Sequence, residues 1–410
     1  MSLNPALVTL QERGFIQQCT DLDSLSSLMD QGPVAFYVGV DPTGPSLHVG
    51  HMVPIFALSH LQQAGHKPVL LIGGGTARIG DPSGKTEMRK MLTYEQIADN
   101  GKSMAAQLSN FVTLDGSNGW MVNNADWLSN LNYIDFLRDI GRHFSVNRML
   151  TFESYKKRME TGLSFIEFNY QLLQSYDFLE LFRRKGCRLQ IGGDDQWGNI
   201  VAGIDLIRRE EAEETYGLTF PLVTRSDGKK MGKSEKGAVF LDPGLFSIYD
   251  FFQYWRNVAD DDVERFLKLF TFLPLEEIRD LCAGGGQALN AAKERLAYEY
   301  TSLIHGKEEA DKALQAAKAA FGGGGDKSAI PSLEIPILEL EAGIGILDLF
   351  AKTDLCSSKG EARRLVQQGG ARINEEKIDD IDAVITADKA VDGELMLKAG
   401  KKRYFRVLVR

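Results

Sequence analysis

Long apolar runs are the first thing this chain lacks. No stretch approaches the length of a membrane-spanning helix, which excludes an integral helical membrane protein. The start, Met1-Ser-Leu-Asn-Pro5, carries neither the basic residues nor the apolar block of a secretory signal, so the cytoplasm is the expected location. Cysteine is sparse: the 4 present, Cys19, Cys187, Cys282 and Cys356, form no C-x-x-C pair, which speaks against a disulfide framework and leaves packing as their role. An excess of positive charge is missing too, since 47 Lys and Arg stand against 56 Asp and Glu, a net of -9 that argues against indiscriminate nucleic-acid binding. The balance is uneven, however. From Gly345 to Arg410 there are 13 basic and 11 acidic residues, so any polyanion contact is local. Both standard nucleotide signatures are absent as well. Gly84-Lys85-Thr86 imitates the end of a P-loop, yet Ile79 occupies the place of its first glycine, and Arg78 stands where a dinucleotide fingerprint after Gly73-Gly-Gly75 needs its third.

What is present is a chain of 410 residues, 43% hydrophobic, enough for two or three domains. It is organised around Tyr37-Val-Gly39-Val-Asp41-Pro-Thr43-Gly-Pro-Ser46-Leu-His48-Val-Gly50-His51. The apolar run 34–40 reads as a buried parallel strand, the segment 41–46 as a turn, and Ser46 as the N-cap of a helix from about Leu47 to Gln63. His48 and His51 then share a face of the first turns, where backbone N–H groups and the helix dipole favour an anion, and Gly50 leaves room for a flat ring or ribose. With no third ligand at a metal spacing, no metal is expected. The segment reads as a nucleotide-phosphate cradle.

Along the chain, residues 1–32 read as amphipathic helix packed outside this strand, and Lys67 to Ile72 as a second buried strand. Strand, helix and strand within about forty residues make a βαβ unit and hence a doubly wound parallel sheet, an α/β fold. The strand-end loop that follows carries Asp81, Lys85 and Arg89. Residues 90–165 read as mostly helical, with Trp120, Asn123 and Trp127, and serve either as a solvated insertion or as a partner surface. Next, Tyr170, Gln174 and Asp177 fall on one helix stripe, where a phenol, an amide and a carboxylate are costly to bury without a polar ligand. A third strand, 187–191, ends in Gly192-Gly193-Asp194-Asp195-Gln196-Trp197, and Asp227-Gly-Lys229-Lys230-Met-Gly-Lys233-Ser234 is a basic loop. Residues 246–321 read as helical, Gly322 to Gly325 as a linker, and the remainder as a small α+β module. In that module a basic helix runs from Ser357 to Gly370, and strands lie at 372–374 and 404–409.

His48-Val-Gly-His51 and Lys230-Met-Gly-Lys233-Ser234 resemble the HIGH and KMSKS signatures of class I aminoacyl-tRNA synthetases. The fuller resemblance is to the bacterial tyrosyl-tRNA synthetases. It is carried by Tyr37-x-Gly39-x-Asp41-Pro-Thr43, Gly80-Asp81-Pro-Ser-Gly-Lys85, Tyr170-x-x-x-Gln174-x-x-Asp177 and Gln190-Ile-Gly-Gly-x-Asp195-Gln196-Trp197, in order, and the last module is similar to an S4 RNA-binding domain. Departures are Val38, where cysteine is common, and Gly232 in place of the first serine of KMSKS. The resemblance implies a Rossmann-like catalytic domain at 1–240, an α-helical anticodon-binding-like domain at 245–325 and an S4-like domain at 343–410. It implies a tyrosine–tRNA ligase that joins L-tyrosine to AMP from ATP and passes it to tRNA(Tyr), with Mg2+ accompanying ATP and without a protein ligand assigned to it. Tyr37 and Asp177 would meet the phenol, Asp81, Tyr170 and Gln174 the ammonium, and Gln196 the carboxylate. Gly39, Asp41, Gly50, Gly193, Asp195 and Lys233 would bind ATP. His48, His51, Thr43, Lys85, Arg89, Lys230 and Lys233 would stabilise charge at the reacting phosphate. The resemblance also implies a homodimer, without membrane or DNA partners. Two rivals are a tryptophanyl enzyme, disfavoured by Asp177 and Tyr37, and a non-catalytic RNA-binding relative, disfavoured by the intact His48, His51, Lys230 and Lys233.

Overall fold

The computed structural model describes residues 2–83, 92–226, 228, 231–234, 237–322, 330–353, 355–400 and 403–410. They fall into two compact units, one of 1–245 with 259–292 and one of 246–258 with 293–410. The expected helical domain at 245–325 is thus divided between them. The reason is chemical: the guanidinium of Arg13, at the end of helix α1 (Pro5–Arg13), is buried and donates to the carbonyls of Lys268, Thr271 and Leu273 at 3.1, 3.0 and 2.6 Å. Phe56 and His60 stack beside it on Phe270 and Phe272.

The first unit is built on a six-stranded sheet. Its strands are β1 (Gln18–Cys19), β2 (Ala35–Val40), β3 (Lys67–Ile72), β4 (Trp120–Asn123), β5 (Cys187–Gly193) and β6 (Tyr216–Phe220), in spatial order β1-β6-β5-β2-β3-β4. All pair in parallel except the edge strand β1, which runs antiparallel to β6. The near-continuous apolar runs of β2 and β3 are those of strands covered on both faces, and β5 is buried over Leu189–Gly192. Strand order reverses between β2 and β5, and in such sheets the ligand crevice lies beyond the carboxyl ends of the strands at that point. Tyr37 of β2 registers with Val69 of β3 and Gln190 of β5, so the signature strand sits at the middle of the sheet.

Helices α2 (Leu22–Asp30), α3 (Met52–Gln63) and α4 (Tyr94–Leu108) precede β4, and β4 itself is a strand where the sequence reads as helix. An insertion of α5 (Ala125–Leu128), α6 (Tyr133–Asp139), α7 (Val146–Met149) and α8 (Glu153–Thr161) leads to the long α9 (Phe165–Lys185) and to α10 (Trp197–Glu211). Helix α9 starts at a capping box, with Ser164 accepting from the Glu167 N–H, and stops at Gly186 in the left-handed conformation, φ 60°.

In the second unit Trp255 of the helix Ile248–Arg256 stacks on Tyr300 at 4.7 Å. Its C-terminal part is a five-stranded sheet in the order 376–378, 371–373, 394–399, 403–409, 332–335, over a core of Leu349, Phe350, Val366, Leu395, Leu397 and Phe405. The strand Ser332–Ile335 belongs to this sheet, so the module starts before the expected boundary at 343. The basic helix Lys359–Gln367 is capped by Ser358 as expected.

Arg13→Leu would leave the three carbonyls without their cationic donor, at an expected cost of about 3 kcal/mol to the first unit. The urea midpoint reports it, and an unchanged midpoint would show that residues 259–292 do not depend on this clamp.

Candidate functional site

Four carboxyl-end segments of the sheet converge here. From β2, Tyr37 is 1% exposed, its ring tilts against Phe178 at 5.3 Å, and its buried hydroxyl has no hydrogen-bond partner among the described residues. Burial foremost, then the charge of Asp177, holds that phenol far above its ordinary range. From α9, Asp177 is 2% exposed; its Oδ1 accepts from Trp127 Nε1 at 2.7 Å and its Oδ2 from Asn124 Nδ2 at 2.9 Å. Burial pushes its carboxyl up to about 8, against the opposing pull of those two donors, with the charges of Asp41 and Glu180 adding to the rise. An unpartnered phenol beside a carboxylate is a complementary place for a ligand hydroxyl, which accepts from one and donates to the other.

One helical turn back on α9, Gln174 Oε1 accepts from Asn199 Nδ2 at 2.8 Å, and two turns back Tyr170 donates to Asp41 Oδ2 at 2.9 Å. Asn199 also reaches Gln196 Oε1 at 3.3 Å, while Gln196 Nε2 donates to Asp81 Oδ2 at 2.8 Å. The backbone N–H of Ser83 donates to the other Asp81 oxygen at 2.8 Å. Tyr170 is held well above its ordinary pKa by burial first and then by Asp41 and Asp81. Tyr37, Asp81, Tyr170, Gln174, Asp177 and Gln196 are therefore brought together, with Asp41 among them. Asp41 and Asp81 both act on Tyr170, and carboxylates so placed suit a cation such as a substrate ammonium.

At the phosphate end the local fold differs from the sequence reading. Ser46 caps no helix: its hydroxyl donates to the Leu47 carbonyl and accepts from Gln107 Nε2 and the Asp242 N–H. His48 is held instead by an antiparallel bridge to Phe240, a 3₁₀ turn spans Val49–His51, and α3 begins only at Met52. His48 Nδ1 accepts from the Gly50 N–H at 3.1 Å, which places the proton of the neutral ring on Nε2, and the two imidazoles stack at 3.7 Å and 22°. The missing Cβ of Gly50 lets other parts of the protein come close. A Cβ there would stand 2.9 Å from His48 Cε1 and 3.4 Å from the Met231 carbonyl. Gly232, at φ +81°, would in turn bring a Cβ to 3.0 Å from the Gly50 nitrogen. The two signature segments thus meet glycine to glycine, which accounts for Gly232 at the place of a serine.

Thr43 closes a turn by donating its N–H to the Asp41 carbonyl at 2.8 Å, and Gly39 faces Leu71 across to β3. At the end of β5 the Asp195 carboxylate lies over Gly193, whose Cβ would stand 2.7 Å from Oδ1, while Asp194 is tied back to Gln18 and Thr219. Lys85, Arg89 and Lys230 lie outside the described residues; Lys233 is described in its backbone, paired with Ala238. The sequence reading missed Asn124, Thr76, Asn199 and Ser83, and gave Trp127, which does lie in the helical insertion, no place in the site. The signal was the glycine run: Cβ atoms on Gly73, Gly74 and Gly75 would stand 1.9 Å from Asp41 Oδ1, 2.4 Å from Asn123 Oδ1 and 3.2 Å from Asn124 Oδ1. The arrangement suits a ligand that carries a hydroxyl at one end and an ammonium at the other.

Comparison with known proteins agrees with this geometry. Residues 29–322 match the family profile of class I tRNA synthetases (W and Y), and residues 328–407 that of the tyrosine–tRNA ligase SYY-like C-terminal domain. The tyrosine–tRNA ligase of Treponema denticola is 65% identical over 407 residues, covering 99% of this chain and 100% of the relative. That of Treponema pallidum is 60% identical, with 99% of each chain covered. Among solved structures, the C-terminally truncated mitochondrial tyrosyl-tRNA synthetase of Aspergillus nidulans superposes with a TM-score of 0.67 at 33% identity, over 75% of this chain and 92% of the other.

The raised carboxyl of Asp177 has a consequence for stability. Its folded-state pKa of about 8 lies above the ordinary value of about 4 for an unfolded chain, so the folded protein binds the proton more tightly. That contribution is complete below about pH 4 and is lost as pH rises through about 8. The ligand-free protein is expected to lose stability between pH 5 and pH 8, and Asp177→Asn to flatten that slope, measured by urea denaturation at several pH values. An equal slope in both proteins would refute it.

Proposed function

The chain belongs to the class I tRNA synthetases of the tryptophan and tyrosine group, and within it to the tyrosine–tRNA ligases, and from that premise we propose a division of its reaction among the residues described above. The enzyme activates L-tyrosine with ATP to tyrosyl-adenylate and pyrophosphate, then transfers tyrosine to the 3' end of tRNA(Tyr). In our reading the substrate hydroxyl donates to Asp177 and accepts from Tyr37. Asp81, Tyr170 and Gln174 hold its ammonium, and Gln196 faces its carboxylate. Gly193 and Asp195 take the ribose; Gly39, Asp41, Gly50 and Thr43 line the adenylate.

The observation that carries this assignment is the buried Tyr37 hydroxyl without a partner next to Asp177. A phenolic hydroxyl satisfies both groups, whereas an indole N–H, which only donates, satisfies the carboxylate alone. That favours tyrosine over tryptophan. The carboxylate of tyrosine attacks the α-phosphate directly. His48, His51, Thr43, Lys85, Arg89, Lys230 and Lys233 serve to stabilise the charge that grows there, and Mg2+ arrives with ATP without a protein ligand assigned.

The remaining assignments are proposals of the same kind. The C-terminal module anchors tRNA through Lys359, Arg363, Arg364 and Arg403. No helix among the described residues is long and apolar enough to cross a membrane, and we place the enzyme in the cytoplasm with translation. A second copy of the chain covers the insertion. There Tyr133, Ile134, Leu137, Val146 and Phe165 are exposed, and several of them line a groove of about 450 Å³ with Phe144, Met149 and Leu172.

Pyrophosphate exchange across a panel of amino acids tests the activity, with exchange expected for tyrosine; exchange with tryptophan alone would overturn the pocket assignment. Replacing His48, Lys230 or Lys233 by Ala should slow exchange by the equivalent of about 3 kcal/mol while tyrosine affinity stays near wild type. Equal losses in both would point to a folding defect instead. Sedimentation tests the second copy: Phe165→Asp should shift a dimer toward monomer at micromolar concentration, and a monomeric wild type would refute the interface.

A further inference from the structure

The phenol end and the ammonium end of the pocket are joined by a chain of hydrogen bonds whose direction is fixed at every link. Asn124, wholly buried, accepts the Gly75 N–H at Oδ1 at 2.7 Å, which sets the orientation of its amide. Both amide hydrogens are then committed, one to Asp177 Oδ2 and one to Thr76 Oγ1, each at 2.9 Å. The Thr76 hydroxyl, accepting from Asn124, has a single hydrogen left and gives it to Asp41 Oδ1 at 2.7 Å. The other Asp41 oxygen accepts from Tyr170. At the far end the Trp127 N–H, a donor only, closes the chain on Asp177. No member can reverse its role without leaving a buried group unpaired.

The bed for this chain is Gly73-Gly74-Gly75, the run that fails as a nucleotide fingerprint. A side chain at Gly73 would occupy the space of the Asp41 carboxylate and come within 2.5 Å of Thr76 Oγ1.

We propose that Thr76 is a positioning residue that couples the two ends of the amino-acid pocket, so that engagement of a substrate hydroxyl at Asp177 steadies Asp41 and Tyr170 for adenylate formation. This rests on the site assignment above. A hydroxyl-bearing substrate pulls on Asp177, Asp177 shares Asn124 with Thr76, and Thr76 holds Asp41. Networks of this kind transmit more than the sum of their pairs, and their members act non-additively. A substrate lacking the hydroxyl is then penalised in turnover as well as in binding.

The test is the ratio of kcat/KM for tyrosine over phenylalanine in pyrophosphate exchange, for wild type, Thr76→Val, Thr76→Ser, Asp177→Asn and the Thr76→Val/Asp177→Asn double variant. Valine keeps the shape and loses the hydroxyl. Thr76→Val is expected to lower the ratio about tenfold, mainly through kcat for tyrosine, since the lost bond is to a charged group. Thr76→Ser should restore it, and Thr76→Val should cost less in the Asp177→Asn background. A wild-type ratio in Thr76→Val, failure of serine to rescue, or an equal cost in both backgrounds would overturn the coupling. Asp177→Asn separates the two ideas: if it keeps full discrimination, the pocket assignment itself falls. Circular dichroism and melting of each variant establish that all are folded.

Discussion

A carboxylate removed from water must be given donors, and that requirement organises the centre of this molecule. Asp177 and Asp81 are buried and Asp41 is half-buried, and each is met by side chains or backbone from another element. Asp177 on α9 draws Asn124 and Trp127 from the end of β4 and from α5. Asp81 after β3 draws Gln196 from the end of β5. Asp41 after β2 draws Thr76 from the turn after β3 and Tyr170 from α9. The satisfaction is incomplete, as the elevated Asp177 carboxyl and the orphaned Tyr37 hydroxyl attest. A pocket with that deficit binds best the ligand that supplies one hydroxyl and one cation.

Close packing imposes the second constraint. The polar side chains reach their partners only where the backbone carries no Cβ to block them. Gly73 makes room for Asp41, Gly74 for Asn123, and the pair Gly50 and Gly232 lets the two signature segments touch. At Gly232 the left-handed φ of +81° adds a conformational reason to the steric one. These glycines are thus part of the site although none offers a functional group.

The elements legible in the sequence are those whose burial is uniform. Strands β2 and β3 are short apolar runs, β5 is marked by its closing glycines, and α9 carries a capping box at Ser164, a glycine stop at Gly186 and a polar stripe at Tyr170, Gln174 and Asp177. Strand β4 is not legible because, in only four residues, it alternates half-buried and exposed positions at the sheet edge. Strand β6 is obscured by Gly217, which looks like a strand breaker. It is required, since a Cβ there would stand 2.3 Å from Ile200 Cγ2 of α10. With β4 unseen, Asn124 and Trp127 could not be assigned to the pocket, although their neighbours Gly73 to Gly75 were conspicuous. The helix start at Leu47 was misplaced because Ser46 looks like a cap from its neighbours in sequence. Its real partners, Gln107 and Asp242, are distant along the chain.

Recognition and chemistry draw on different parts of the same scaffold. The groups we assign to the substrate phenol and their partners stand on β2, on α9 and at the start of α5, inside the sheet-and-helix framework, with Tyr37 and Asp177 almost fully enclosed. Of the groups assigned to the phosphates, Thr43, His48 and His51 follow β2, outside the sheet. Selecting one hydroxyl requires a geometry that does not adapt to a substrate without it, and framework positions supply that rigidity. Stabilising phosphate charge requires donors already held where that charge forms. The hydrogen-bond chain through Thr76 spans these two regimes: it begins at Trp127 of α5 and ends at Asp41 in the turn after β2. Without such a link selection would act through binding alone, and an amino acid lacking the hydroxyl, once bound, would be adenylated as fast as tyrosine.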